Sequence, residues 1–220
     1  MIELLNMDCK DYLRDCEDNA FDLAIVDPPY GIGAGKKGFS TLGGNGGGNL
    51  AVRKDYGAKD WDCERPPVQY FKELSRTSKN QVIWGGNYFI DHLAATSCFL
   101  VWDKVNGDWS NADCELAWTS FSGSVRKFEF MWNGMLQGNM KRKQYRIHPT
   151  QKPVQLYEWI LNKYSEPGQR ILDTHLGSGS SAIAAHYGQF DFVGIEIDED
   201  YFNAAKARFE AETAQLDLLA

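Results

Sequence analysis

The sequence has few of the residues that build disulfide frameworks and metal centres. Its five cysteines are odd in number and include no CxxC pair, and it has only four histidines in 220 residues. We therefore expect neither a disulfide framework nor a metal site, and reduced thiols in the cytoplasm are the simplest interpretation.

Long apolar stretches are also missing. No run approaches the roughly 20 apolar residues of a membrane-spanning helix. The first residues lack the basic and apolar segments of a signal peptide, so we expect a cytoplasmic protein without a membrane partner. Hydrophobic residues still make up 43% of the chain, and its length suits one α/β domain over residues 1–220.

A net positive charge, common among nucleic-acid-binding proteins, is absent as well, because the formal net charge is −7. The charges are unevenly distributed, however. Residues 31–60 include five basic and two acidic residues, and residues 121–153 include seven basic and one acidic residue. Local patches of this kind can bind a polyanion despite an acidic average, although solvated loops would give the same counts.

Strands alternate with helices along most of the chain. Helical spacing of apolar residues predicts helices at 66–78, 154–164 and 199–213. Seven segments have the composition of buried strands: 2–6, 21–26, 81–85, 98–102, 115–121, 170–174 and 192–197. This alternation predicts an α/β fold with a seven-stranded, mostly parallel sheet and helices on both faces.

Two regions depart from the alternation. Residues 31–60 are rich in glycine and lack apolar periodicity, which is typical of a functional or mobile loop. Residues 122–147 mix aromatic, methionine and basic residues without a clear period. We interpret the second region as a small insertion in the domain.

The strand at residues 21–26 ends in Asp27-Pro28-Pro29-Tyr30. Two consecutive prolines cannot continue a sheet ladder, and they hold the backbone in a stiff extended shape. A plain strand exit would use Gly, Asn or Ser. The carboxylate, the double proline and the aromatic ring therefore indicate a functional site.

A second motif lies within residues 170–198. A strand runs into Asp173, the glycine turn at 177–179 opens a helix, and the next strand ends at Glu196. Such glycines let a ligand approach the backbone, and the acidic residue suits the hydroxyls of a ribose. Taken alone, the pattern also fits the dinucleotide fingerprint of an oxidoreductase, or a tight strand–helix turn. Both motifs are predicted to share the carboxyl edge of one sheet.

Together these motifs resemble those of amino-group DNA methyltransferases of the β arrangement, in which the catalytic motif precedes the cofactor motif. The resemblance covers nearly the whole chain. It rests on residues 27–30, on His148-Pro149-Thr150-Gln151-Lys152-Pro153, and on residues 173–181 with Glu196, all in the family's order. It implies a single Rossmann-like, S-adenosylmethionine-dependent methyltransferase fold with circularly permuted motifs and a small target-recognition insertion at 122–147.

The resemblance also implies a reaction. A methyl group would pass from S-adenosylmethionine to an exocyclic amine of a base flipped out of DNA. Asp27 and the carbonyl of Pro28 would accept hydrogen bonds from the amine, with Pro29 holding them in place and Tyr30 stacking on the base. No metal or covalent nucleophile is needed. A motif that begins with Asp goes mostly with adenine N6, so we expect an adenine-N6 enzyme, with cytosine N4 as the alternative.

Cofactor-binding residues carry over from the family's motifs by position. In addition to Asp27 they are Asp8 and Cys9 near the adenine, Thr150, Gln151 and Lys152 near the carboxylate, and Asp173, Thr174, His175, Gly177, Ser178, Gly179, Ser180, Glu196 and Ile197 around the methionine and ribose. Thr174-His175 replaces the family's usual Pro-Phe, which leaves the details of that pocket open. His148 is expected to be a hydrogen-bonded structural residue.

Double-stranded DNA is the partner that the resemblance implies. Residues 122–147 would recognise its sequence, and the loop at 31–60 would close over it. Trp132 and Tyr145 are candidates to enter the base stack. Family members often form homodimers, so a homodimer is an assembly to test, and the sequence does not reveal whether a restriction partner exists. The candidate DNA contacts are Lys36, Lys37, Arg126, Lys127, Lys141, Arg142, Lys143 and Arg146.

Other functions fit parts of the pattern. The same fold could methylate an RNA base or a protein glutamine, where similar Pro-Pro-Tyr motifs occur. The glycine turn alone could serve a nicotinamide-dependent oxidoreductase, and a catalytically inactive DNA-binding module would keep the basic patches. Activity on duplex DNA, and binding of S-adenosylmethionine but not NAD, distinguish these functions.

Overall fold

The computed structural model describes residues 1–35, 59–107, 112–133 and 136–214. Most of the glycine-rich stretch at 31–60 therefore lies outside the described residues. Two short 3-10 helices occupy Gly86–Tyr88 and Met140–Arg142. In chain order the other elements are β1 (Ile2–Asn6), α1 (Cys9–Asp15), β2 (Phe21–Val26), α2 (Val68–Thr77), β3 (Ser78–Trp84), β4 (Phe99–Asp103), β5 (Cys114–Thr119), β6 (Arg126–Glu129), β7 (Trp132–Asn133), β8 (Leu136–Gln137), α3 (Val154–Tyr164), β9 (Arg170–Asp173), α4 (Ser180–Tyr187), β10 (Asp191–Glu196) and α5 (Glu199–Ala214).

The main sheet has eight strands in the order β1-β10-β9-β2-β3-β5-β4-β6, and β7 pairs with β8 separately. From β1 to β3 all neighbours in this order are parallel. Strand β5 runs antiparallel to both β3 and β4, and β6 is parallel to β4. All seven predicted strands are present, with ends shifted by up to three residues, and the mostly parallel sheet is confirmed.

The eighth strand, β6, is an addition to the seven that the sequence predicts. It lies within residues 122–147, the region interpreted as an insertion, and three of its four residues are exposed. An edge strand needs a partner on only one side, so it can carry polar residues without an apolar run. The region therefore contributes to the main sheet, and its remaining described part forms β7, β8 and the second 3-10 helix.

Hydrophobic clusters lie on opposite faces of the sheet. On β2, Leu23 and Ile25 pack in the cluster that includes residues of α3 and α4. Ala24 and Val26 pack in the other cluster, with residues of α1 and α2. This alternation explains why the strand is apolar throughout, and it confirms helices on both faces.

The helices follow the predicted spacing closely. Helix α3 has the predicted bounds, and α5 is one residue longer than predicted. Helix α2 begins at Val68 rather than at residue 66, because Pro67 is its extended N-cap with ψ 159°. In the part of the chain that is described, no helix combines the length and apolar character needed to cross a membrane.

The strand directions bring the two motifs together. Strand β2 pairs with β9, and β9 pairs with β10, all in parallel. The residues that end or follow these strands, Asp27, Asp173 and Glu196, therefore share one sheet edge, as predicted. Because β5 runs in the opposite direction, its first residues lie at this edge too.

Candidate active site

Asp27 stands at the carboxyl end of β2, and its two carboxylate oxygens have different partners. The Tyr30 hydroxyl donates to Oδ1 at 2.6 Å, and Lys152 Nζ forms an ion pair with Oδ2. Burial raises the pKa of Asp27, while the Lys152 ammonium opposes the shift. Pro28 is buried and Pro29 half-buried, so the two rings fix the turn that carries the carboxylate.

Lys152 reaches Asp27 across 125 positions of sequence. Its side chain is 2% exposed, and Nζ also lies 3.1 Å from Glu115 Oε2 on β5. Burial alone would lower the pKa of Lys152, but the two carboxylates outweigh it and the net shift is upward. The sequence predicts a role at the cofactor carboxylate, whereas the ammonium contacts the carboxylate of the catalytic motif itself.

Asp62 holds the turn that follows the double proline. Its Oδ1 accepts from the backbone N–H groups of Tyr30 at 2.6 Å and Gly31 at 3.0 Å, and its Oδ2 accepts from Ala34 N at 2.7 Å. The carboxylate is almost fully buried. Asp62 is not identifiable from the sequence as a site residue, because nothing in its local pattern shows that it caps a turn about 30 positions earlier.

We predict that Asp62→Ala destabilises the protein by about 2–3 kcal/mol, because three N–H groups lose a charged acceptor. Methyl transfer is expected to fall with it, since the turn positions Tyr30. Glu64→Ala is the matched control, an exposed acidic residue two positions away. Thermal melting and an activity assay of both variants check the prediction. Equal melting temperatures of the two variants would contradict it.

The ring of Tyr30 packs against the residues that follow β3. It stacks on Tyr88 with 4.8 Å between ring centroids and 16° between planes, and Phe89 meets it edge-on at 6.1 Å. Gly85 has φ +68°, and a Cβ there would lie 2.2 Å from Tyr30 Cε1. The glycine pair directly after a core strand is the sequence signal that could have indicated this close approach.

The glycine turn and Glu196 form one hydrogen-bonded unit. Gly177 and Gly179 have φ of +52° and +72°, in the left-handed region that favours glycine. Gly177 N donates to Glu196 Oε2 at 2.8 Å, and Asp198 N donates to Oε1 at 3.0 Å. Burial raises the pKa of Glu196. Ile197, the next residue, is exposed.

Asp173 lies at the base of the glycine turn and is fully buried. Ser181 Oγ donates to its Oδ2 at 2.6 Å, and His175 N donates to its Oδ1 at 3.0 Å. Burial raises the pKa of Asp173 to about 7. Both hydrogen-bond partners are neutral and do not fully offset the effect of burial. A cationic ligand group nearby would lower the pKa of Asp173 and favour the ionised carboxylate.

Thr174 and His175, which depart from the family's usual pair, are tied to α2. Thr174 Oγ1 lies 2.6 Å from the Tyr70 hydroxyl and 2.9 Å from His175 Nδ1. The His175 ring also packs edge-on against Tyr70, at 5.5 Å between centroids. Burial lowers the pKa of His175 to about 4. At neutral pH the imidazole is therefore an uncharged aromatic ring, as a phenyl ring in this place would be.

Asp8 and Cys9 lie near Glu196, because Met7 N donates to Glu196 O at 3.1 Å. Asp8 caps α1, and its carboxylate accepts from Lys10 N at 2.8 Å. Burial raises the pKa of Cys9 to about 12, so the side chain stays a thiol. The structure thus brings this predicted pair to the same edge as the glycine turn.

The segment before α3 is joined to the glycine turn through Ser180. Its hydroxyl donates to Lys152 O at 2.8 Å and lies 3.1 Å from Ser178 Oγ. Thr150 Oγ1 lies 3.1 Å from His148 Nδ1. Burial lowers the pKa of His148 to about 4, so its ring is neutral at pH 7.

Gln151 is a buried link within the same segment. Its Nε2 donates to Tyr145 O at 3.2 Å, and its Oε1 accepts from Ile147 N at 2.9 Å. Trp132 Nε1 donates to Gln151 O at 2.7 Å and is buried, whereas Tyr145 is 85% exposed. Of the two aromatic residues considered for the base stack, Tyr145 is the one that projects into solvent.

The basic residues predicted to contact DNA have different surroundings. Lys127, on β6, pairs with Asp103 at 3.5 Å and with Glu129. Arg146 Nη2 donates to Trp132 O at 2.8 Å. Lys36 and Lys37 lie outside the described residues. The exposed members are Arg126 and Lys127 on β6, and Lys141, Arg142 and Lys143 in and after the second 3-10 helix.

Comparisons with known proteins agree on one family. Residues 101–207 match the family model described as DNA methylase, of the N6/N4 type. The type II methyltransferase M2.DpnII of Streptococcus pneumoniae is 24% identical, over 95% of this chain and 90% of that protein.

Solved structures share the fold. M1.HpyAVI in complex with SAM superimposes with a TM-score of 0.59, at 21% identity, covering 94% of this chain and 100% of that chain. The PvuII DNA methyltransferase, described as cytosine-N4-specific, gives a TM-score of 0.56 at 15% identity, over 97% of this chain and 90% of that one. The Rossmann-like methyltransferase fold is thus confirmed.

Proposed function

We propose that this chain is an amino DNA methyltransferase that transfers a methyl group from S-adenosylmethionine to adenine N6 in double-stranded DNA, and the family-model match over residues 101–207 supports the proposal. The observation that carries the proposal is the Asp27 carboxylate, which the double proline fixes beside the glycine turn at one sheet edge. That placement supports the proposal, because it sets a hydrogen-bond acceptor for an amine at the same sheet edge as the glycine turn.

The residues at the glycine turn fit S-adenosylmethionine, which supplies an activated methyl group on a sulfonium centre. The Glu196 carboxylate is suited to accept hydrogen bonds from the ribose hydroxyls. The buried Asp173, with its neutral partners, suits the ammonium of the methionine end. A Cβ on Gly177 would meet nothing closer than 3.8 Å, which leaves room for a ligand beside the backbone.

Asp27 overcomes the weak nucleophilicity of an exocyclic amine, whose lone pair is delocalised into the base ring. Its carboxylate accepts a hydrogen bond from one amino hydrogen, and the carbonyl of Pro28 accepts from the other. This arrangement stabilises the positive charge that develops on the nitrogen in the transition state. The base must leave the helix to reach this point. Tyr30, stacked on Tyr88, provides the aromatic wall of the site.

The choice of base rests on the first residue of the motif. An aspartate in that position, here Asp27, accompanies adenine N6 in most of the family that the sequence resembles. Cytosine N4 is the second candidate, because a methyltransferase described as cytosine-N4-specific shares the fold. The exposed basic residues Lys141, Arg142 and Lys143 supply charge for the DNA backbone.

Mass spectrometry of DNA nucleosides tests the function. We expect purified protein, incubated with unmethylated duplex DNA and S-adenosylmethionine, to produce N6-methyladenine. N4-methylcytosine would keep the mechanism and overturn the choice of base. If neither nucleoside forms while the protein binds S-adenosylmethionine, the substrate is not DNA, and RNA and protein glutamine become the substrates to assay.

A further inference from the structure

Glu115 belongs to the charged cluster around the reactive carboxylate. It lies on β5, and its Oε2 is 3.1 Å from the Lys152 ammonium that also pairs with Asp27. Its other oxygen, Oε1, pairs with Lys104 at 2.6 Å. The buried ammonium is thus shared between two carboxylates, one inside the catalytic motif and one outside it.

The surroundings of Glu115 and Lys152 hold both side chains in their charged forms. Burial opposes ionisation of Glu115, but Lys152 and Lys104 outweigh it and lower its pKa to about 2. Glu115 is therefore a carboxylate at any working pH. The net shift of the Lys152 pKa is upward, so that side chain remains an ammonium and cannot act as a base.

The Lys152 ammonium, which contacts Asp27, is expected to destabilise the transition state of amine methylation. Positive charge develops on the target nitrogen during the transfer, and the negative charge of Asp27 stabilises it. The Lys152 ammonium counteracts this field and occupies one of the acceptor oxygens. In a buried site such opposing charges are poorly screened. A second anion beside the ammonium is needed for Asp27 to keep its effect.

We propose that Glu115 is a positioning residue for methyl transfer. Its carboxylate offsets the charge of the Lys152 ammonium that the two carboxylates share, so that Asp27 keeps the negative charge that stabilises the target amine in the transition state. Glu115 acts through Lys152 and does not touch the reacting atoms. This inference rests on the proposed function, since it assigns a role within the same transfer.

Glu115→Gln is the first variant, because it keeps the size of the side chain and removes the charge. The Lys152 ammonium then has Asp27 as its carboxylate partner. We expect kcat to fall about 10- to 100-fold while the dissociation constant for S-adenosylmethionine changes less than about threefold. The matched control is Glu73→Gln on α2, a glutamate of similar exposure that also forms an ion pair, with Arg76 at 2.8 Å, and this variant is expected to leave kcat unchanged.

The double variant Glu115→Gln/Lys152→Met separates this role from a merely structural one. With the ammonium gone, Asp27 no longer needs Glu115, so kcat at saturating S-adenosylmethionine should exceed that of Glu115→Gln at least fivefold. An independent contribution of Glu115 would leave the double variant as slow as the single one or slower. That result would overturn the inference.

A titration of Asp27 does not depend on methyl transfer, so it tests the role of Glu115 independently of the proposed function. Removing the negative charge of Glu115 should lower the pKa of Asp27, because Lys152 then acts on Asp27 alone. Carbon NMR of the Asp27 carboxyl group measures this pKa. An unchanged Asp27 titration, or a kcat of Glu115→Gln within threefold of the wild type, refutes the role of Glu115. A wild-type protein that methylates no DNA refutes the proposed function, and the titration still tests the charge cluster.

Discussion

Asp27→Ala is expected to reduce methyl transfer by about 10³-fold while binding of S-adenosylmethionine persists. The substitution removes the acceptor that stabilises charge on the target nitrogen. The Tyr30 hydroxyl also loses its 2.6 Å partner. The fold should survive, because the buried Lys152 ammonium keeps Glu115 at 3.1 Å as a counterion. Single-turnover transfer to duplex DNA and calorimetric titration with the cofactor measure the two effects.

Asp22→Ala is the matched control for this variant. Asp22 lies at the other end of β2, and it also pairs with a lysine, Lys79 at 2.7 Å. It is far from the carboxyl edge of the sheet, so we expect transfer to be unaffected. Asp27→Ala activity within tenfold of this control would show that Asp27 is not the acceptor. A joint loss of activity and cofactor binding would show that Asp27 serves the cofactor pocket.

Gly85→Ala is expected to lower kcat by about 100-fold with little change in cofactor affinity. The new Cβ would lie 2.2 Å from Tyr30 Cε1, closer than any real contact, so the ring must move. Tyr30 is hydrogen-bonded to Asp27, and displacement of the ring disturbs the carboxylate too. A shift of about 1 Å in a catalytic group can cost about 10²-fold. Pre-steady-state transfer rates at saturating DNA and cofactor measure the effect.

Gly168→Ala is the control that distinguishes the steric clash with Tyr30 from the effect of backbone strain. Gly168 also has a left-handed φ, +86°, but a Cβ there meets nothing within 4 Å. Both variants strain the backbone by about 1–2 kcal/mol, which lowers stability by similar amounts. A loss of kcat confined to Gly85→Ala supports the contact with Tyr30. Equal losses in the two variants would attribute the effect to strain and contradict the prediction.

Local sequence pattern predicted most of the strands and helices and the order of the motifs. Apolar runs and helical spacing marked β2 and α3 with their observed bounds, because burial on both faces or on one helix face leaves a local pattern. The motif at residues 27–30 and the glycine turn were likewise recognisable from adjacent residues as parts of a functional site. Strand–helix alternation also predicted that β10, β9 and β2 run parallel, and the residues that follow parallel strands meet at one sheet edge.

Which side chains meet at that edge depends on long-range packing. Lys152 contacts Asp27 across 125 positions, and Asp62 caps a turn about 30 positions earlier. Neither pairing produces a periodic pattern in the sequence, because the contacts of a buried charge are made with residues that are close in space and distant in sequence. The same holds for Glu115, an acid among apolar strand residues, and for β6, whose edge position needs no apolar run. Local pattern therefore predicts the buried elements, whereas long-range packing determines the partners of the reactive carboxylate.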